Sequence, residues 1–525
     1  MIRDWRLQLA LILLSAALLR GLFFVGFGLG DDLGYIAHVD EILAGRYPPL
    51  DPLNQYAYRP LLLVLFAGGI ALFGYSDFGV VAPVLLSSLL TTALVFGLVR
   101  RLIDPGAAWW CSLLYAFEPF NVVNSTTMTN DVVLSCLTFA SWGTFLVADH
   151  TLAATKSLRL FVAAGALMTA AFLIKVAFLP ALCALALYSL ASLRSRRAVV
   201  VRRHGAFYVT FLLALVGVCS TYYVIKGDFF WQLKSEMLYY QTYKPDWYLA
   251  GIVNYWDLMW QYPRSLFGLS GYETFRYFEH GFLFWVFVPA GAFSLMRPRH
   301  GVITFLIVSA IVVFAFFELY PQYISPRYLP LVRQERYLEM LLPCAVIVVG
   351  TALFRLHRRH HAVAVSILCL LLANFVAEGS HRWTQYDDSQ RDVRELARYA
   401  KSTIANTNNR LVVDLPAHNA LRFYLRDTRV AIEQIGQNQQ ADLRGCYVAV
   451  GGARSFWWSR DMVFDVAPEM LPPHWVLTYE VAGRKLPWRR SNLRVYYVSD
   501  RPQPGALQPA LWRRGQAWVS NRASS

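Results

Sequence analysis

Charge is scarce in this chain. Lys, Arg, Asp and Glu make up 16% of its 525 residues, while hydrophobic residues reach 56%; an average soluble protein holds about 25% and 45–50%. That shortage excludes a soluble enzyme and a disordered chain. Cysteine says little. Of the seven, Cys111, Cys136, Cys183, Cys219, Cys344 and Cys369 lie inside apolar runs, and only Cys446 lies in a polar region. With no C-x-x-C pair and no Cys/His ligand spacing, neither a disulfide framework nor a zinc site follows. No internal repeat is present, which weakens an inverted-repeat transporter. The first apolar run, Leu7–Gly28, lacks a small-residue cleavage site and is too long for a signal h-region, so it reads as an uncleaved anchor. What charge there is leans basic, 49 Lys+Arg against 34 Asp+Glu. In a membrane protein that excess belongs in cytoplasmic loops and does not imply nucleic acid.

Crossing a bilayer takes about 20 apolar residues. Besides Leu7–Gly28, candidate spans are Gly79–Val99, Gly106–Val122, Val132–Ala148, Leu160–Ile174, Val176–Leu193, Ala206–Ile225, Phe282–Met296, Val302–Leu319, Tyr337–Phe354 and Ala362–Ala377, eleven in all. A further apolar segment, Pro60–Gly74, has 15 residues. If it lies in the outer interface, with the N-terminus inside, every cytoplasmic loop is basic: Arg3/Arg6, Arg100/Arg101, Lys156/Arg159, Arg194–Arg203, Arg297/Arg299 and Arg355/Arg358/Arg359. If it crossed, the later basic loops would all face outward, against the positive-inside rule. The outer side then holds Leu29–Arg59, a turn at Asn124–Asp131, a loop Lys226–His280, the segment Tyr320–Arg336 and the C-terminal region. That region has globular composition, with a helix over Arg391–Lys401 and strands at Arg410–Leu415, Val430–Ile435, Tyr447–Gly451 and Leu493–Ser499. The expected architecture is an all-α polytopic membrane domain (residues 1–378, about eleven transmembrane helices plus interfacial helices) followed by an extracytoplasmic α/β domain (379–525).

Chemistry gathers on the outer side. Asp31 and Asp32 directly follow the first span; adjacent carboxylates raise each other's proton affinity, so one can serve as a base. They are also the place where a divalent cation would be held, and metal dependence is left open. Read alone, the pair is better explained as a hydrophilic loop start that stops the helix. Asp131 sits where the second outer turn re-enters the membrane, where Asn130 or Asp131 can simply cap a helix. Arg59, Lys175, Arg327, Arg333 and Arg336 stand on the outer side, where the charge rule does not ask for them. A charge at membrane depth costs roughly 2.5–3.5 kcal/mol on insertion scales, so it has a partner or a task. A lipid phosphate suits Arg and Lys; for Lys175, snorkelling serves equally well. For Arg20, inside the first span, pairing with a neighbouring helix is the preferred reading. Between Phe229 and Phe278, 17 of 50 residues are aromatic against 15% of the chain, a density that interfacial anchoring explains and that sugar stacking would also use. His357, His360 and His361 read as part of a basic loop.

Taken in order, these residues resemble the GT-C glycosyltransferases, specifically bacterial relatives of the dolichyl-phosphate-mannose–protein mannosyltransferases and of the aminoarabinose–lipid A transferase. The similarity rests on Asp31-Asp32-Leu33-Gly34-Tyr35 with Ala37 and Gly45-Arg46-Tyr47, on Asp131, on Leu173-Ile174-Lys175, and on Glu335-Arg336-Tyr337 followed by Pro343. It covers roughly residues 7–380 and departs from the family pattern at Asp32, where Glu is usual, and at Leu33. The resemblance implies inverting transfer of one sugar from a polyprenyl-phosphate carrier to an acceptor outside the cytoplasmic (inner) membrane, by a monomer. It makes Asp31 the general base and Asp131 its assistant. Arg59, Lys175, Arg333 and Arg336 become the holders of the donor phosphate, in one outward-facing chamber with the acidic pair. The partners are then the lipid-linked sugar and membrane lipids, with lipid A, an envelope glycan or a protein as acceptor. A lipid-linked sugar flippase or transporter, and a ligase that moves a whole glycan, are the competing readings.

Overall fold

A computed structural model describes residues 4–28, 31–47, 49–52, 54–242, 259–268, 279–296, 301–323, 329–330, 335–407, 409–434, 443–450, 474–481 and 493–499. The chain divides into two compact units. One comprises Met1–Gly26, His38–Leu72 and Phe78–Trp383; the other comprises Phe27–Ala37, Phe73–Asp77 and Thr384–Ser525.

The first unit is helical. It contains α1 (Trp5–Leu22), the later part of α2 (Asp31–Leu43), α3 (Pro60–Phe73), α4 (Asp77–Leu102), α5 (Ala107–Phe117), α6 (Pro119–Asn124), α7 (Asn130–Asp149) and α8 (Ala154–Ile174). Later helices include Leu179–Val199, Gly205–Lys226, Trp231–Thr242, Leu283–Met296, Gly301–Leu319 and Leu342–His357, with a short antiparallel pair of strands, β1 (Pro321–Tyr323) and β2 (Leu329–Pro330), before the last of them. Among the described residues, nine segments are helical, long and apolar enough to cross a membrane, and the chain is a multi-pass membrane protein. Two of the eleven expected spans take shorter forms. Residues 106–122 break into α5 and α6 because Pro119 cannot continue a hydrogen-bonded helix and Glu118 caps the next one, its Oε2 accepting from Asn121 N at 2.6 Å. Residues 282–296 form a 14-residue helix. Pro60–Phe73 is helical, with proline at its first position, where no backbone donor is missed.

Small residues let the helices approach closely. A Cβ on Gly350 would fall 2.7 Å from Cys111 Cα, and one on Gly165 would fall 2.7 Å from the Phe207 carbonyl. Leu342–His357, lined by Val346, Ile347 and Val349, is thus the buried centre of this unit.

The second unit holds a mixed five-stranded sheet of β3 (Arg410–Val413), β4 (Ala431–Gln434), β5 (Tyr447–Val450), β6 (Trp475–Glu480) and β7 (Arg494–Val498), ordered β4-β3-β5-β7-β6. β3 runs parallel to β4 and β5; β7 is antiparallel to β5 and β6. Val412, Val448, Val450, Tyr496 and Val498 form its core. The helix expected over 391–401 is the end of a 42-residue helix, His361–Ser402, which no proline interrupts. The helix Leu415–Tyr424 and strand β6 are additions to the sequence-based reading.

Candidate active site

The turn between α6 and α7 places Asp131. Thr129 is extended and caps α7, accepting from Asp131 N. The turn is pinned to the end of α1, with Gly26 N donating to Thr126 O at 2.8 Å and Val25 N to Thr126 Oγ1 at 3.2 Å. Asp131 therefore stands at the first turn of a fixed helix, its side chain 3% exposed.

Two cations meet it. Lys175 adopts an extended conformation that ends α8 and swings the chain into a 3-10 turn, Val176–Phe178. Its Nζ donates to Asp131 Oδ1 at 2.8 Å and lies 4.2 Å from the Tyr337 ring centroid, a cation–π contact. Arg336, on the 3-10 turn Glu335–Leu341, brings its Nε to 3.4 Å from Asp131 Oδ2. Lys175 is 4% exposed, Arg336 28%. Burial pushes the Lys175 ammonium down to about 8; Asp131 opposes that drop, and Arg336 and Arg59 add to it.

Arg59 joins the same field. It sits at the break between the 3-10 turn Gln55–Tyr58 and α3, where the following Pro60 disfavours a helical residue. It is buried, and its Nη2 donates to Gln55 Oε1 at 3.2 Å. The helix Trp231–Thr242 is fastened alongside by Gln232 Nε2, which donates to Tyr58 O at 3.1 Å, and by Trp231 edge-on to Tyr58. It carries half-buried Glu236. Burial raises the proton affinity of Glu236, and Arg59 and Lys175 work against that. The site thus gathers Arg59, Asp131, Lys175 and Arg336. Arg333 lies outside the described residues, as does most of the aromatic-rich stretch.

Beneath this cluster is a buried polar network the sequence reading missed. Arg20 Nη2 donates to Asn121 Oδ1 at 2.6 Å, and its Nε to Ser88 Oγ at 3.1 Å. Asn121 Nδ2 donates in turn to Glu339 Oε1 at 2.5 Å and to Tyr115 Oη at 3.1 Å. Glu118 Oε1 pairs with His280 Nδ1 at 2.8 Å. Arg20 is paired with neighbouring helices, as expected, and Glu118 and Glu339 are fully buried beside it in the same network. The signal was available, since Glu118 stands inside an apolar run. Glu339 lies one 3-10 turn after Arg336, so its tie to Asn121 also holds the strand of chain that presents Arg336.

Asp31 and Asp32 open α2 in the second unit, in the first turn, where helix geometry favours carboxylates. Asp32 Oδ2 accepts from Gly28 N at 2.7 Å. Among the described residues no three His, Cys, Asp or Glu side chains group as metal ligands.

Comparison with known proteins follows the same lines. The dolichyl-phosphate-mannose-protein mannosyltransferase family matches residues 58–223, the stretch holding Arg59, Asp131 and Lys175. No curated protein matches by sequence. Among solved structures, apo ArnT from Cupriavidus metallidurans aligns at TM-score 0.57 with 18% identity, over 82% of this chain and 86% of that one. ArnT from the same organism bound to undecaprenyl phosphate aligns at 0.58 with 16% identity, over 94% and 99%. The oligosaccharyltransferase AglB from Archaeoglobus fulgidus, in complex with an inhibitory peptide and a dolichol-phosphate, aligns at 0.50 with 14% identity, over 80% and 64%. The chain carries the GT-C glycosyltransferase fold.

Proposed function

We propose that this protein transfers a sugar from a polyprenyl-phosphate carrier to an acceptor hydroxyl by inverting displacement, at the outer face of a bacterial cytoplasmic membrane. The observation that supports it most is the pairing of Asp131 with buried Lys175 and part-exposed Arg336, with buried Arg59 adding its charge to that of Lys175. Lys and Arg side chains set close together in a poorly hydrated place are the groups that hold a phosphate most strongly. The structural match to an ArnT crystallised with undecaprenyl phosphate supports the same carrier class.

In this reading the acceptor oxygen attacks the anomeric carbon from the face opposite the phosphate. The carbon–oxygen bond to the carrier breaks, and its electron pair stays on the phosphate. Lys175, Arg336 and Arg59, with Arg333, stabilise that charge as it forms. Asp31 takes the proton of the attacking hydroxyl, with Asp32 beside it. Phosphate leaves without needing a proton, so no general acid is required. Asp131 orients the cations; its two oxygens are engaged by Lys175 and Arg336, which makes it a scaffold for the phosphate site and leaves the base role to Asp31. If a divalent cation takes part, Asp31 and Asp32 are its ligands and it would add positive charge beside the acceptor. The buried charges Arg20, Glu118 and Glu339 are tied together through Asn121, which suits internal struts better than the permeation path a flippase needs.

The test is a transfer assay with undecaprenyl-phosphate-linked sugar, alongside binding of undecaprenyl phosphate. Asp31→Asn should abolish transfer and leave binding and folding intact. Full transfer by that variant removes the base.

A further inference from the structure

The segment carrying the acidic pair clusters with the C-terminal α/β domain. The contacts are specific. Phe27, just ahead of the pair, stacks on Phe423 with ring centroids 4.3 Å apart and meets Tyr424 edge-on at 6.0 Å. Phe27 and Phe423 are both buried. Asp77 Oδ1 accepts two hydrogen bonds, from Phe27 N at 3.0 Å and from Tyr424 Oη at 2.8 Å. Tyr75 packs on Phe423 at 6.1 Å and lies under the Arg426 guanidinium at 4.1 Å. One residue on from Phe27, Gly28 N donates to Asp32 Oδ2. A Cβ at Gly28 would stand 2.9 Å from that oxygen and 3.2 Å from Gln390 Nε2, so a methyl group there would push the Asp32 carboxylate aside.

We propose that the α/β domain is the mount of the acidic pair: Tyr424 and Phe423 are positioning residues that hold Asp77 and Phe27, and through Gly28 fix Asp32 and its neighbour Asp31. The domain thereby has a task in the transfer step besides any cover or acceptor role. The links are short. Asp77 ties the backbone of Phe27 to the Tyr424 hydroxyl, and five positions separate Phe27 from Asp32. Burial, with Asp77 next to it, raises the proton affinity of the Tyr424 phenol far above its ordinary value. The hydroxyl therefore stays a donor throughout the working pH range. A base must stand within a fraction of an ångström of its proton, and displacement by about 1 Å costs on the order of 100-fold in rate.

This inference rests on the base role given to Asp31 above, so its test includes a readout that needs no turnover. Full-length Tyr424→Phe keeps the ring and removes the tie to Asp77; Gly28→Ala crowds the same contact from the other end. Hydrogen exchange by mass spectrometry should show residues 31–37 exchanging about 10-fold faster in both variants, with peptides of the Asp131 turn unchanged. In the transfer assay, kcat should fall about 10- to 100-fold, while KM for undecaprenyl-phosphate-linked sugar stays within about twofold and undecaprenyl phosphate still binds. Unchanged exchange at residues 31–37 overturns the proposal. So does faster exchange with unchanged kcat, or a loss expressed in donor KM. Full transfer by Asp31→Asn instead removes the base and the kinetic half of the proposal, while exchange still decides whether the domain is the mount.

Discussion

Replacing Asp131 by Asn probes the centre of the cation cluster. The substitution keeps an oxygen to accept from Lys175 Nζ but removes the charge that offsets Lys175 and Arg336. Asp131 and Lys175 are 3% and 4% exposed and 2.8 Å apart, so the remaining ammonium has little water to turn to. Removing one partner of a buried pair costs about 3–5 kcal/mol. The retained hydrogen bond places this case near 3. At about 2 °C per kcal/mol, suited to a large domain, melting should drop by about 6 °C. The double variant Asp131→Asn/Lys175→Met removes both members of the buried pair, and Arg336, 28% exposed, keeps access to water. Replacing both partners is often neutral, so it should melt within about 2 °C of the parent. Function should not follow stability. Asp131→Asn loosens the cations and should lower transfer about 100-fold; the double variant also lacks a phosphate-stabilising ammonium and should lose about 100- to 1000-fold. The measurements are detergent-solubilised melting curves and initial transfer rates. A parental melting point for Asp131→Asn, or full transfer by the stable double variant, would show that this pair does not organise the site.

Other outcomes follow from the same geometry. Lys175 carries its charge below about pH 8 and loses it above, so kcat/KM for the donor should fall on an alkaline arm near pH 8; Lys175→Arg should move that arm beyond about pH 10, since guanidinium does not titrate there. If Arg59 and Lys175 hold the donor phosphate as proposed, Glu236, which both cations already act on, competes with it, so Glu236→Gln should tighten undecaprenyl phosphate binding severalfold, as read by native mass spectrometry; weaker binding would make it a needed contact. Gly350→Ala would press a methyl group on the Cys111 backbone and should destabilise the helical unit by about 1–3 kcal/mol, seen as a lower melting point with an unchanged alkaline arm.

Much of the fold was legible because apolar runs and basic loops are written in linear order. α3 and the nine membrane-length segments among the described residues lie where hydropathy puts them. The break at Glu118-Pro119 was not foreseen, because a count of apolar residues passes over one carboxylate and one proline. Long-range partners were the larger loss. Nothing in sequence order says that Arg20, Ser88, Asn121 and Glu339 share hydrogen bonds, or that Phe27 stacks on Phe423. Glu236 sat in a loop read for its rings, and its carboxylate drew no notice. By contrast, Arg59, Lys175 and Arg336 were visible as cations on the side where loop charge is not needed, and Asp131 as an acid at a re-entry point. Helix His361–Ser402 ran past the expected domain boundary because its polar second half is as good a helix former as its apolar first half.

The most direct test is the lipid that comes with the protein. Mass spectrometry of organic extracts should show a polyprenyl phosphate or its sugar-linked form with the parental protein, and about tenfold less of it with Lys175→Met/Arg336→Ala at matched folding. Equal amounts with both proteins, or no polyprenyl phosphate with either, would contradict a donor-phosphate site at Asp131, Lys175 and Arg336.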